Sequence, residues 1–186
     1  MICLVLTLLY QGSGDTLRWY NPNTTGYNHN GLTLGGYLHW AIILPIDSEY
    51  DGRTVHSGRV HIWEAMDSPG TIIVCKGDLH HPVFLLGLGT FHSTGYGFYE
   101  VSFGDSVVLH QGDYVWIWCT QWHAQGQEPA TTDAGPCDPY YATLVSLDGV
   151  DWETMCTYYY LDYRWVMELI LTPSVWRREQ LSLRKS

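Results

Sequence analysis

Charge is scarce in this sequence, and most of it has one sign. Charged residues make up 15% of the 186 positions, with nine Lys or Arg against 19 Asp or Glu. Residues 1–176 hold five of the basic and 18 of the acidic side chains, a net charge of −13. A body this acidic repels phosphate backbones, so we expect no nucleic-acid partner. The other four basic residues lie in residues 177–186, which we expect to form a basic C-terminal tail.

The sequence also lacks an apolar run long enough to cross a bilayer. The run at residues 2–9 has eight residues, whereas a spanning helix needs about 20, so we expect no membrane span. It resembles the core of a secretory signal but has no basic residues before it. Residues 1–10 therefore have three open interpretations: a signal-like segment, a strand buried on both faces of its own sheet, or a strand donated to a neighbouring copy.

Motifs for catalysis are missing too. The nine His residues include no HExxH or HxH spacing, and no GxSxG turn marks a nucleophile. We therefore expect no enzymatic activity and no cofactor other than a structural calcium ion. Asp133, in a polar loop at residues 128–136, and Asp138, just after it, are the candidate calcium ligands. The alternative is that Asp133 hydrogen-bonds the backbone of its own loop, as Asp does in turns.

Cysteine usage excludes several metal and redox sites. The five cysteines form no CxxC pair, which argues against a zinc knuckle, a thioredoxin-type motif or an attached haem. Cys75 and Cys119 lie in apolar runs and are expected in the core. Cys137 and Cys156 flank one loop and hairpin, and they are the candidate disulfide.

In the turn-rich loop 21–31, Asn23 begins an Asn-Thr-Thr triplet and is a glycosylation candidate for an extracellular protein.

What the sequence does contain is a strong two-residue period. The large apolar residues near the C-terminus alternate: Tyr159, Leu161, Tyr163, Trp165, Met167, Leu169 and Leu171. Asp162, Arg164 and Glu168 lie between them, which predicts a strand with one buried and one solvent-exposed face. Further strands are predicted at residues 3–9, 32–44, 54–64, 71–75, 83–86, 96–103, 107–109, 114–122, 142–147, 152–158 and 163–172. Only residues 176–183 suggest a short helix. The pattern predicts one all-β domain, residues 1–176, folded as a two-sheet antiparallel β-sandwich.

An aromatic stripe is the best clue to function. In residues 114–122 the even positions include Trp116, Trp118 and Trp122, while the odd positions hold Val115, Ile117 and Cys119. If the Trp face is exposed, its rings can stack on sugars or on the aromatics of another subunit. The alternative is a central strand with both faces buried.

Four motifs in one order suggest a family. They are Gly112-Asp113 before Trp116-Ile117, Pro129 before Asp133-Ala134-Gly135-Pro136, Ser146-Leu147-Asp148-Gly149 before Trp152, and Asp162-Tyr163-Arg164-Trp165. This order resembles a jelly-roll-like β-sandwich accessory module of secreted and surface proteins of bacteria and archaea, which is often appended to extracellular peptidases. Arg164 departs from the pattern, which has Asn at that place. The resemblance implies a non-catalytic module and names no ligand.

Together these features predict a non-enzymatic extracellular or cell-surface module. Our first hypothesis is a structural subunit for surface adhesion or self-assembly, of the filament or surface-layer type. Its partners would be other copies of itself or neighbouring surface proteins. The alternative is a carbohydrate-binding module that uses Trp116, Trp118 or Trp122 to bind glycans.

Overall fold

The computed structural model describes residues 16–23, 26–138 and 140–172. It contains thirteen strands in the described ranges, a short 3-10 turn at Ser48–Tyr50 and a one-turn helix, α1, at Met155–Tyr158. The strands are β1 (Thr16–Arg18), β2 (Tyr27–Asn30), β3 (Gly36–Pro45), β4 (Thr54–Ile62), β5 (Gly70–Gly77), β6 (Pro82–Phe91), β7 (Gly97–Val108), β8 (Tyr114–His123), β9 (Ala130–Ala134), β10 (Leu144–Ser146), β11 (Glu153–Thr154), β12 (Tyr163–Trp165) and β13 (Met167–Leu171).

The strands form two antiparallel sheets. The seven-stranded sheet has the order β1-β13-β4-β9-β12, with β2 beside β9 and β7 beside β4. The six-stranded sheet has the order β11-β10-β3-β8-β5-β6. One apolar core contains inner-face residues of both sheets, among them Ile42, Ile117 and Leu169, each fully buried. The predicted all-β, two-sheet antiparallel sandwich is therefore confirmed.

Several strand assignments need correction. Residues 128–136 were expected to be a loop, but Ala130–Ala134 form β9, and its first four residues are buried. Residues 152–158 were expected to be one strand, but after Thr154 the chain turns into α1, whose Thr157 N–H is accepted by the Thr154 hydroxyl. The loop predicted at 21–31 contains β2. The predictions for residues 1–10, for the helix at 176–183 and for the tail at 177–186 lie outside the described residues. Within the described ranges, no helix is long and apolar enough to cross a membrane.

The face of β13 that was predicted to be solvent-exposed is covered. Glu168 is fully buried. Its Oε2 accepts hydrogen bonds from Arg18 Nη1 at 3.0 Å and from the Tyr20 hydroxyl at 2.5 Å, and its Oε1 pairs with Arg59. Burial, together with the negative charge of Glu168, raises the pKa of Tyr20, so the hydroxyl stays protonated and can donate. The segment after β1 thus lies over the outer face of the seven-stranded sheet.

His61 lies on the same outer face, surrounded by rings. Its ring centroid is 4.4 Å from Tyr96, 4.7 Å from Phe98 and 5.1 Å from Tyr27. Its Nδ1 is 3.1 Å from the Thr131 hydroxyl. Burial, reinforced by the positive charge of Arg59, lowers the pKa of His61 to about 4. The imidazole is therefore neutral at neutral pH.

This buried imidazole predicts a loss of stability in mild acid. Folding lowers the pKa of His61 from 6.5 to about 4, so between these values the unfolded chain binds a proton that the folded chain does not. The stabilisation is complete above pH 6.5 and is lost as the pH falls towards 4. We expect a free energy of unfolding that falls by up to about 1.4 kcal/mol per pH unit, the value for one proton. Urea titrations across this range measure it.

The matched comparison replaces one buried and one exposed histidine. His61→Gln is expected to reduce the pH slope, whereas His110→Gln, at a side chain 65% exposed, is expected to leave it unchanged. Equal slopes in the two variants would contradict the prediction.

Candidate functional site

The predicted Trp stripe lies on the outer face of the six-stranded sheet, but its members are buried to different degrees. Trp116 is fully buried, and its Nε1 donates to the Asp78 carbonyl at 2.8 Å. Trp118 is half-buried, and Trp122 is 40% exposed. A ligand in solution can therefore reach Trp118 and Trp122, and Trp116 must be removed from the candidate site.

The hairpin from Ser146 to Trp152 packs against both Trp116 and Trp118. The Ser146 hydroxyl accepts the Gly149 N–H at 2.9 Å, and the Asp148 carboxylate accepts the Val150 N–H at 2.8 Å. These bonds close the turn of the hairpin, and the Trp152 ring packs edge-on against Trp116 and Trp118, at 5.5 and 5.3 Å.

Gly149 is required at the tip of this hairpin for two reasons. Its φ is +75°, a backbone conformation that residues other than glycine rarely adopt. An added Cβ would also lie 3.0 Å from Cζ2 of Trp118. The backbone therefore covers one part of the Trp118 ring and leaves the rest at the surface.

Two exposed rings lie opposite each other beyond Trp118. Tyr37 on β3 pairs with Trp122 on β8, and the two side chains are 59% and 40% exposed. His39 follows on the same face, with its ring 6.3 Å from Tyr37 and 5.6 Å from Trp118. We call Tyr37, His39, Trp118 and Trp122 the ring row.

A row of polar side chains crosses the sheet beside these rings. Residues paired in register place Ser146, His39, Thr120, Thr71 and Thr90 next to one another on five neighbouring strands. Four inter-strand spacings make the row about 19 Å long. Hydroxyl groups and an imidazole in such a row can donate and accept hydrogen bonds.

Some polar atoms around the ring row have no hydrogen-bond partner within the described structure. They are His39 Nδ1, Trp118 Nε1, Thr120 Oγ1 and Trp152 Nε1, all of them buried. Burial lowers the pKa of His39, against the opposing charge of Asp148, so its imidazole is neutral at neutral pH. Leaving a buried polar atom unpaired costs about 1–3 kcal/mol. These four atoms lie below the surface, so the groups that a ligand can reach at the ring row are the exposed faces of Tyr37 and Trp122.

The two candidate calcium ligands have partners in the chain. Asp133 is fully buried on β9, where Arg164 donates to it from Nε at 3.0 Å and from Nη2 at 2.7 Å, and the Asn21 N–H adds a third bond. Its partners are therefore not the backbone of its own loop. Asp138 instead accepts the N–H groups of Tyr140 and Tyr141. In the described residues no group of three or more His, Cys, Asp or Glu is arranged to hold a metal ion.

The remaining candidates lie away from the ring row. Cys137 and Cys156 are joined in a disulfide, with their Cα atoms 6.1 Å apart. Asn23 is exposed in the turn after β1, while Thr24 and Thr25 of its triplet lie outside the described residues. Cys75 and Cys119 are buried, and burial raises the pKa of both thiols.

A cavity at the end of the sandwich offers little chemistry. It has a volume of about 280 Å³, and Leu38, Val145, Met155 and Trp165 are among the residues that line it. No Asp, Glu, His, Cys, Lys or Arg belongs to its described lining. The one titratable side chain in this described lining is the phenol of Tyr159.

Sequence reasoning missed Tyr37 and His39. The alternation of Tyr37, His39, Ala41 and Ile43 along β3 contained the signal that these side chains share a face. That this face adjoins the Trp stripe follows only from the register of β3 with β8.

Comparisons with known proteins identify the fold. No protein-family model and no curated protein sequence matches this chain. Its structure is similar to the crystal structure of the cysteine protease and lectin-like domains of Cwp84, a surface layer associated protein of Clostridium difficile, with a TM-score of 0.53 and 12% identity over 75% of this chain. A form of this clostridial protease after propeptide cleavage gives a TM-score of 0.52 and 15% identity over 81% of this chain.

The likeness concerns the lectin-like domain rather than the protease domain. This chain spans 32% and 38% of the two solved chains. At these identities the similarity shows the fold alone.

Proposed function

We propose that this protein is a non-enzymatic, surface-associated module that binds carbohydrate through the ring row. The observation that carries the proposal is the pair of exposed rings, Tyr37 and Trp122, opposite each other on adjacent strands. Flat aromatic faces pack against the apolar faces of sugar rings, and neighbouring polar atoms bind the hydroxyl groups. His39 and Thr120, which pair across β3 and β8 and are each partly exposed, are the neighbouring polar side chains. The fold likeness to a lectin-like domain supports the proposal.

The charge of the module favours neutral glycans. Lys76 pairs with Asp113, Arg164 with Asp133, and both Arg18 and Arg59 with Glu168. Asp148 lies next to the ring row and keeps its charge, because backbone N–H groups of Asp151 and Val150 lower its pKa. A polyanionic glycan would meet this negative charge. We therefore expect binding of neutral oligosaccharides over uronic-acid polymers.

Removal of the two exposed rings tests the proposal. Tyr37→Ala combined with Trp122→Ala is expected to weaken glycan binding about 10- to 100-fold, since roughly 1.5–3 kcal/mol of contact energy is lost. A glycan array identifies a neutral ligand, and isothermal titration with that oligosaccharide gives the affinities of wild type and variant.

The control removes two other exposed rings. Tyr140 and Tyr160 are 63% and 88% exposed and lie outside the ring row. The Tyr140→Ala and Tyr160→Ala double variant is expected to bind like wild type. Binding that survives loss of Tyr37 and Trp122 would refute the proposed site.

A second function, adhesion or self-assembly as a surface subunit, has its own supporting observation. Val83, Phe84, Leu85 and Leu88 on the edge strand β6 are 55–64% exposed. An uncovered apolar edge of this kind is a place where another chain can add a strand. The Cys137–Cys156 disulfide supports an extracellular or cell-surface location, because disulfides persist in oxidising compartments. Light scattering over a concentration series tests assembly.

A further inference from the structure

The edge strand β6 is poorly protected. Among the described strands it pairs with β5 alone, so the N–H and C=O groups on its other side are free for another strand. Edge strands in soluble proteins usually carry charges that prevent such pairing. None of the ten residues of β6 is charged, and the protecting features are Pro82 at its first position and two register shifts, near Val83 and near Leu86.

The exposed side chains of β6 lie on both of its faces. Leu85 and Leu88 share the outer face of the sheet with their partners Cys75 and Ile73. Phe84, opposite Lys76, points to the other side and is 64% exposed. A strand that adds to this edge therefore meets apolar groups above and below, and it needs apolar residues at consecutive positions.

This chain contains such a segment. Residues 3–9 read CLVLTLL, with apolar residues at every position except Thr7. A strand with this sequence is apolar on both faces and requires cover on both. Seven residues extend over about 23 Å, which fits within the roughly 33 Å of a ten-residue strand.

We infer that residues 3–9 of one copy add as a strand to the β6 edge of a second copy. The inference rests on the proposed self-assembly function and names its donor and its acceptor. Backbone hydrogen bonds supply the pairing, and the apolar side chains of both strands cover one another.

The proposed donor and acceptor are different segments of the chain. The donor segment precedes β1, which is one edge of the seven-stranded sheet. The acceptor β6 packs at the opposite edge, against β7, where an added Cβ at Gly87 would lie 3.1 Å from the Phe103 ring. Because donor and acceptor are different segments of the chain, each copy can accept one strand and donate another. Such a head-to-tail contact produces open chains unless it closes into a ring.

Complementation between two full-length variants tests the inference. Leu85→Lys places a charge on the acceptor edge and leaves the donor intact. Val5→Lys with Leu6→Lys places a charge on each face of the donor and leaves the acceptor intact. Each variant alone is expected to be monomeric. An equimolar mixture is expected to form dimers of twice the 21.2 kDa chain mass, and no larger species, in light scattering.

The outcomes separate this inference from its alternatives. Val150→Lys, at another exposed aliphatic residue that is 65% accessible, is expected to assemble like wild type. If the donor-charged variant still dimerises by itself, β6 pairs with another β6 and the inference is wrong. If Leu85→Lys assembles normally while the donor variant does not, self-assembly stands but its acceptor lies elsewhere. A wild-type chain that stays monomeric at all concentrations overturns both the strand-exchange inference and the proposed self-assembly.

Discussion

Replacing Glu168 by Gln is expected to lower the free energy of unfolding by about 3–5 kcal/mol. Glu168 is fully buried between Arg18 and Arg59 and accepts the Tyr20 hydroxyl. Without the carboxylate, the largely buried guanidinium group of Arg18 loses its ion pair, and the Tyr20 hydroxyl and Arg59 lose the same partner. This loss is a large fraction of the ~5–15 kcal/mol that stabilises a typical domain. Urea unfolding at neutral pH measures it.

Glu49→Gln is the matched control for this experiment. It makes the same chemical change at an exposed residue of the 3-10 turn, where surface substitutions usually alter stability by no more than about 0.5 kcal/mol. If both variants lose the same amount, the buried charge cluster does not stabilise the fold in the way that its geometry indicates.

Removing the Cys137–Cys156 disulfide is expected to cost about 3 kcal/mol, because the bond closes a loop with a sequence separation of 19. The double variant Cys137→Ser with Cys156→Ser should therefore unfold at lower urea concentration. The bond ties the segment after β9 to α1, so this end of the sandwich should also lose protection from hydrogen exchange before the sheets do.

Reducing agent provides the control for the disulfide. It should destabilise the wild-type protein to the level of the double variant and leave the double variant unchanged. Equal stability of wild type and double variant, each without reductant, would show that the bond does not stabilise the chain.

The strands that the sequence predicted best are those with apolar residues on alternate positions. In β8 and β13 the inward residues, such as Ile117 and Leu169, are the ones that the period of two selects. β9 was missed because Thr131, Thr132 and Asp133 look like loop residues, yet all three are buried. Asp133 can be buried there because Arg164 lies opposite it on β12. These two residues are 31 positions apart in the sequence.

The candidate site was predicted in part, for a similar reason. Trp118 and Trp122 were named from the stripe and lie at the surface, whereas Trp116 is covered by Trp152 and bonded to the Asp78 carbonyl. The stripe shows which residues share a face, but it does not show what packs on that face. The exposure of a ring depends on the hairpin folded over it.

From sequence alone, the two-residue alternation determined the fold class, because a strand places successive side chains on opposite faces whatever its neighbours are. The same local rule indicated which residues could share a surface. Only the tertiary structure decided the rest: that Glu168 and Asp133 lie in buried ion pairs, that Tyr37 faces Trp122, and that β6 has an open edge. These features depend on strand register and on segments that cross over the sheets, and such long-range contacts leave no periodic trace in the chain.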